Sequence, residues 1–168
     1  MPATFASGAR LTPALLNTPP RGIIARANRS SSSSATTSEV GVLRLDNIPI
    51  AAGRSYNIWV SPFVVHSTVA NDVVRARLRF STSGAATTSS SLLDMWQTSI
   101  ANTVNPPSAS LEAKLESGTN LNVSVLLTIA RQSGTGNASI ISGSGPDLEI
   151  DLIVEDMGLN VPDTGVDL

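Results

Sequence analysis

A chain of 168 residues is long enough for one domain with a genuine core and too short for two domains plus linkers. It has no cysteine, which excludes disulfides, thiolate metal sites and cysteine nucleophiles, and its one histidine, His66, excludes a His-rich metal site. Charged residues make up only 14% of the chain while Ser, Thr, Asn, Gly and Pro abound, a balance that suits strands and turns better than Glu- and Lys-rich surface helices.

Residues 1–38 show no sustained period, carry Pro2, Pro13, Pro19 and Pro20, and end in the run Ser30 to Ser34 followed by "ATTS". Such composition cannot build a packed core of its own and reads as an extended N-terminal arm. The arm holds Arg10, Arg21, Arg26 and Arg29 and no acid, a charge of +4, whereas the remainder sets seven basic against thirteen acidic side chains, or −6. Opposite charge suits an arm that lies on a neighbouring copy, on another acidic protein or on nucleic acid. Two apolar clusters, "LTPALL" and "GIIA", make Leu15, Leu16, Ile23 and Ile24 candidate anchors, flanked by Arg21 and Arg26. The expectation is that residues 1–38 become ordered only against neighbouring subunits or a larger shell, with Ser30 to Ser34 the loosest part. The N-terminus lacks the continuous apolar segment of a secretory signal, and no apolar run approaches the roughly 20 residues that span a bilayer.

From Glu39 the pattern turns to period two, the mark of half-buried strands. "EVGVLRLDN" and "SYNIWVSPFVV" open the body. In "DVVRARLRFST", Val74, Ala76, Leu78 and Phe80 share one face and Val73, Arg75, Arg77 and Arg79 the other. "SSLLDMWQTSIAN" offers a short helix, with Leu92, Leu93, Trp96 and Ile100 on roughly one side, or else an irregular loop. "SLEAKLES" sets Leu111, Ala113 and Leu115 opposite Glu112, Lys114 and Glu116. "LNVSVLLTIA" aligns Leu121, Val123, Val125, Leu127 and Ile129, and a shorter strand surrounds "ASIIS". "DLEIDLIVED" places Leu148, Ile150, Leu152 and Val154 inward and Asp147, Glu149, Asp151 and Glu155 outward. Seven or eight strands at such spacing predict an all-β, jelly-roll-like antiparallel sandwich over residues 39–157, with an acidic tail at 158–168.

No constellation in the chain carries catalysis. His66 has no G-x-S-x-G elbow to serve. "SGTGNAS" follows an apolar strand but lacks the Gly-Lys-Ser/Thr of a phosphate loop and reads as a hairpin connection. Asp147, Glu149 and Asp151 alternate along a strand, so they form a row and do not converge on calcium. The Arg75, Arg77 and Arg79 row sits in a net acidic body with few aromatics, which argues against nucleic acid and for intersubunit or cross-strand pairing with carboxylates, Asp147, Glu149 and Asp151 foremost within an oligomer. No enzyme activity, metal or cofactor is expected. Trp59 is out of phase with Tyr56, Ile58 and Val60, which places it in the core or on a second face that another subunit or the arm covers. "VVRARL", "SVLLTIA" and "IDLIVED" each carry apolar residues on both faces, and that surplus predicts a closed oligomer, a homotrimer.

The phrases "GARLTPALLN", "VGVLRLDNIPIAAGRSYNIWV", "STVANDVVRARLRFSTSG" and "ATTSSSLL", with the serine-rich stretch, resemble virion structural proteins of tailed bacteriophages of actinobacteria. The resemblance implies a small oligomeric β-sandwich on the capsid or tail, assembled in the bacterial cytoplasm, with no catalytic residues to carry over. The expected function is capsid decoration: the protein clips onto the major capsid protein or other virion proteins through its arm and its oligomer interface, without membrane or nucleic acid. A minor tail or fibre protein, and a sandwich that binds host glycans, are the alternatives.

Overall fold

The computed structural model describes residues 21–141 and 149–160, so Leu15, Leu16 and Asp147 lie outside the described residues. Among those residues there are nine strands and no helix. They are β1 (Gly22–Arg29), β2 (Val40–Ile50), β3 (Arg54–Ser67), β4 (Val73–Ser81), β5 (Ser91–Ser99), β6 (Ser108–Ser117), β7 (Leu121–Ser133), β8 (Ala138–Ile141) and β9 (Ile150–Leu159). The first sheet has the order β1-β9-β3-β6, with β8 also on β3, and the second has the order β2-β7-β4-β5. All pairings are antiparallel, and they nest: β4 with β5, β3 with β6, β2 with β7, β1 with β9. A long hairpin rolled up in this way is a jelly roll.

Alternation explains the core. Val74, Ala76 and Leu78 of β4, Val125, Leu127 and Ile129 of β7 and Ile150, Leu152 and Val154 of β9 are fully buried between the sheets, on the faces that period two assigns. Two features depart from it. The segment "SLLDMWQTS" is β5, neither helix nor loop, because a bulge places Leu93 between the residues opposite Leu78 and Arg79. Leu93 and Trp96, three apart, therefore both pack on the core and imitate a helical stripe.

The second departure concerns the arm. Residues 22–29 form the edge strand β1 against β9 of the same chain, with Ile24 and Ala25 packed on the core. The serine run continues along β8: Ser33 N donates to Ile140 O at 2.9 Å, Ile140 N to Ser33 Oγ at 2.9 Å, and Thr36 exchanges backbone bonds with Ala138 at 2.8 Å. The Arg29 guanidinium donates to the carbonyls of Ser31, Ser32 and Val42. Residues 22–36 thus order on their own body, and Ser30 to Ser34 is tied down. The physical reason is that β9 and β8 otherwise present bare backbone edges, which a polar strand satisfies as well as an apolar one. At the other end β9 runs past Met157 to Leu159, and Asn160 N donates to Gly53 O at 2.8 Å, so the body outruns the expected boundary.

Candidate functional site

Three carboxylates that sequence reading did not single out organise the polar chemistry. Asp72, just before β4, is 2% exposed and accepts from Ser67 Oγ at 2.6 Å, Thr135 N at 3.0 Å and Gly136 N at 2.8 Å. The "SGTGNAS" amides, which a phosphate loop would turn to a ligand, here face a carboxylate of the protein itself. The Ser67 hydroxyl, then the two amides and the Arg131 charge, hold the Asp72 carboxyl below the usual range despite desolvation. Gly134 adopts φ +107°, and a Cβ there would stand 1.8 Å from Asp72 Oδ1. Gly134→Ala is therefore expected to cost more than about 1 kcal/mol of unfolding free energy in urea titration. Because the folded-state pKa of Asp72 is depressed, the stability it contributes is present above about pH 4 and lost as pH falls through the lower folded value. Asp72→Asn should flatten that acid limb; an unchanged pH profile of melting temperature would refute the assignment.

Glu39 anchors the chain where it enters β2. Its carboxylate accepts from Arg79 Nε at 2.5 Å, Thr128 Oγ1 at 2.7 Å, Arg79 Nη2 at 3.0 Å and Arg77 Nη1. Burial alone would push the Glu39 carboxyl up, but donation from Arg79 and Thr128 and the charges of Arg77 and Arg79 hold it below its ordinary value. The third carboxylate, Asp156, is 1% exposed and bidentate with Arg54 at 2.8 to 3.0 Å, while its Oδ1 also accepts from Gly158 N at 2.9 Å.

The two outer faces of the roll hold the described interface candidates, and the faces differ in charge. On the second sheet, Arg75, Arg77 and Arg79 line up beside Gln97, Met95 and Leu92 of β5. Arg77 and Arg79 are taken by Glu39, and Arg75 Nε donates to Gln97 Oε1 at 2.7 Å. On the first sheet, Arg26 forks onto Asp151 at 2.9 and 2.8 Å, and Asn28 donates to Glu149 at 2.7 Å and Asp151 at 3.1 Å. The expected meeting of the arginine row with Glu149 and Asp151 therefore does not occur within the chain, because β4 and β9 belong to different sheets. Trp59 is on the outer face of the first sheet, level with Ile153 and Glu112, and not in the core. Ile23 is 57% exposed and so is no buried anchor, whereas Ile24 packs inward. Arg21 approaches Asp156 at 3.9 Å.

The premise behind the oligomer expectation also changes. The second-face residues Leu126 and Ala130 of β7 and Ile153 of β9 are already buried within the chain. Leu126 lies under Gly41, where a Cβ would come within 3.1 Å of Leu126 Cδ1, and Ile153 is flanked in register by Arg26 and Trp59. Sequence reading missed these covers because they come from neighbouring strands. A signal for Asp72 was available: a Gly-x-Gly turn with outward amides needs an acceptor. His66 pairs with Ser139 in the β3–β8 ladder. Among the described residues no three His, Asp or Glu side chains converge as a metal-binding group. No helix among them is long and apolar enough to cross a membrane.

No protein-family model matches the chain. No curated protein matches it either. Solved structures resemble it in shape at low score. A Clostridium thermocellum endo-1,4-β-D-xylanase 10B with CBM22-1 and GH10 modules gives TM-score 0.40 and 11% identity over 86% of this chain and 30% of that one. The Eiger TNF of S. frugiperda gives 0.38 and 13% over 88% and 100%, and infectious bursal disease virus VP2 gives 0.40 and 10% over 84% and 38%. The chain thus spans about a third of the xylanase and VP2 structures.

Proposed function

We propose that the chain is a structural component of a tailed-bacteriophage particle, a decoration protein that binds the head shell and reinforces it. The observation that supports this most is where the buried charge is committed. Among the described residues, Asp72, Glu39 and Asp156 each hold a loop or strand of the roll, and their hydrogen bonds go to the protein and not towards an open cleft. Polar groups used in this way stiffen a scaffold. The phrase-level resemblance to actinobacteriophage virion proteins supports the same reading.

Since Ile24 and Arg26 are engaged by the chain's own body, attachment in this reading falls to residues 1–20, with Leu15 and Leu16 as anchors. Removing residues 1–20 should leave the melting temperature within about 2 °C and reduce co-sedimentation with undecorated particles at least tenfold. Undiminished binding would overturn this use of the arm. Quantitative mass spectrometry of purified particles separates decoration from the tail reading, since hundreds of copies mean shell and a handful mean tail. The half-exposed Trp59, beside Asn57, Glu112 and Lys114, favours host-glycan binding as the second reading. Saturation-transfer NMR with soluble cell-wall oligosaccharides decides it by the presence or absence of transfer from Trp59.

A further inference from the structure

We infer that the two outer faces of the jelly roll dock on each other head to tail, the arginine face of one copy on the acidic face of the next. The inference deepens the structural reading above by naming its partner surface and symmetry.

The faces differ in charge. The second sheet presents Arg44, Arg75, Arg77 and Arg79 against Glu39 and Asp46, a net positive surface. The first presents Glu112, Glu116, Asp151 and Glu155 against Arg26 and Lys114, a net negative one. Sheet geometry makes this segregation possible, since residues at alternate positions of each strand share one face. Each face also has apolar area for contact. Leu92 and Met95, 49% and 45% exposed, stand in register with Arg79 and Arg77, and Trp59 and the exposed Met157 lie on the acidic side. At 4.8 Å between strands and 3.3 Å per residue, four strands of nine residues offer roughly 600 Å² per partner, close to what a specific interface needs.

Charge also selects the symmetry. A twofold contact would set acid on acid or arginine on arginine, which costs energy. Joining unlike faces is heterologous, and because the two outer faces of a sandwich look in opposite directions, the contact repeats as an open stack of copies. In this arrangement Arg75, the member of the row whose side chain meets the uncharged Gln97, gains a carboxylate across the boundary between copies, while Arg77 and Arg79 stay with Glu39. The edges remain outside the contact: β6 offers its Glu112 amide to Asp94 Oδ2 at 3.1 Å, so its edge next to β5 is occupied in part by its own chain.

The test uses the purified full chain without particles, so its result is independent of shell attachment. Arg44→Glu with Arg75→Glu reverses one face, and Glu112→Lys with Glu155→Lys reverses the other. All four sites are partly or fully exposed, and melting temperatures check that each variant folds. In light scattering at micromolar concentration and low salt, wild type is expected as an oligomer whose mean mass rises with concentration and falls as salt rises. Either pair should weaken association at least tenfold. An equimolar mixture of the two should reassemble to the wild-type mass with the variants alternating, because each variant now accepts only the other. All four substitutions in one chain should restore the wild-type mass. A monomeric wild type, an oligomer indifferent to either pair, or a fourfold variant as weak as its parents would each overturn the inference. In that last case, loss without rescue would assign the faces to a different partner.

Discussion

Deletion of residues 1–36 is expected to destabilise the body and expose it to aggregation, whereas deletion of residues 1–20 is not. The longer cut removes β1, whose seven register pairs cover the outer edge of β9, and the bonds of Ser33 and Thr36 that cover β8. It also uncovers the apolar surface beneath Ile24 and Ala25 and unpairs Asp151 from Arg26. After the conformational entropy that a shorter chain no longer loses is set against these, roughly 3–5 kcal/mol should disappear, a drop of about 6–20 °C in melting temperature. A bare β9 edge is a template for pairing with other chains, so the truncated protein should also form higher-order species on gel filtration. Equal melting temperatures for the two truncations would show that β1 is a passive appendage, and attachment experiments with the longer deletion would then be interpretable. On the present geometry they are not, because loss of binding and loss of fold coincide.

Replacing Asp156 by Ala should be the most damaging single substitution. Arg54 is almost fully buried and would keep its charge without the bidentate carboxylate that now faces it, and Gly158 N would lose its acceptor. Breaking one partner of a buried pair costs about 3–5 kcal/mol. The informative control is the double change Arg54→Leu with Asp156→Leu. A buried pair exchanged for apolar side chains of similar volume is often neutral, so the double variant should regain most of the loss in guanidinium titration. If Asp156→Ala loses less than about 1 kcal/mol, the guanidinium reaches water at the end of β3 and the pair is not the clamp described here.

How much of this was legible beforehand depends on the range of the interaction. The alternation in "DVVRARLRF" and "DLIVED" follows from local geometry, since a strand turns successive side chains to opposite faces wherever it lies. Those inward faces, the all-β class and the outward arginine row therefore follow from the chain alone. So does the opposition of charge between its segments. Alternation cannot say which strands become neighbours. The carboxylate that meets Arg77 and Arg79 is Glu39, dozens of positions away in sequence, and the acceptor for the Gly-x-Gly amides is Asp72, some sixty positions away. The bulge at Leu93 disguised β5 as a helical stripe, since one extra residue changes the phase that a period-two reading needs. The arm shows the same limit most plainly. Its composition denies it a core of its own, but an edge strand needs only backbone groups and one modest apolar face, and the core that residues 22–29 borrow lies beneath β9. Local chemistry thus determined the strands with unbroken alternation and their faces, while the nesting of hairpins in the tertiary structure decided the bulged and edge strands and which side chains meet, because each of those pairs is closed by chain distant in sequence.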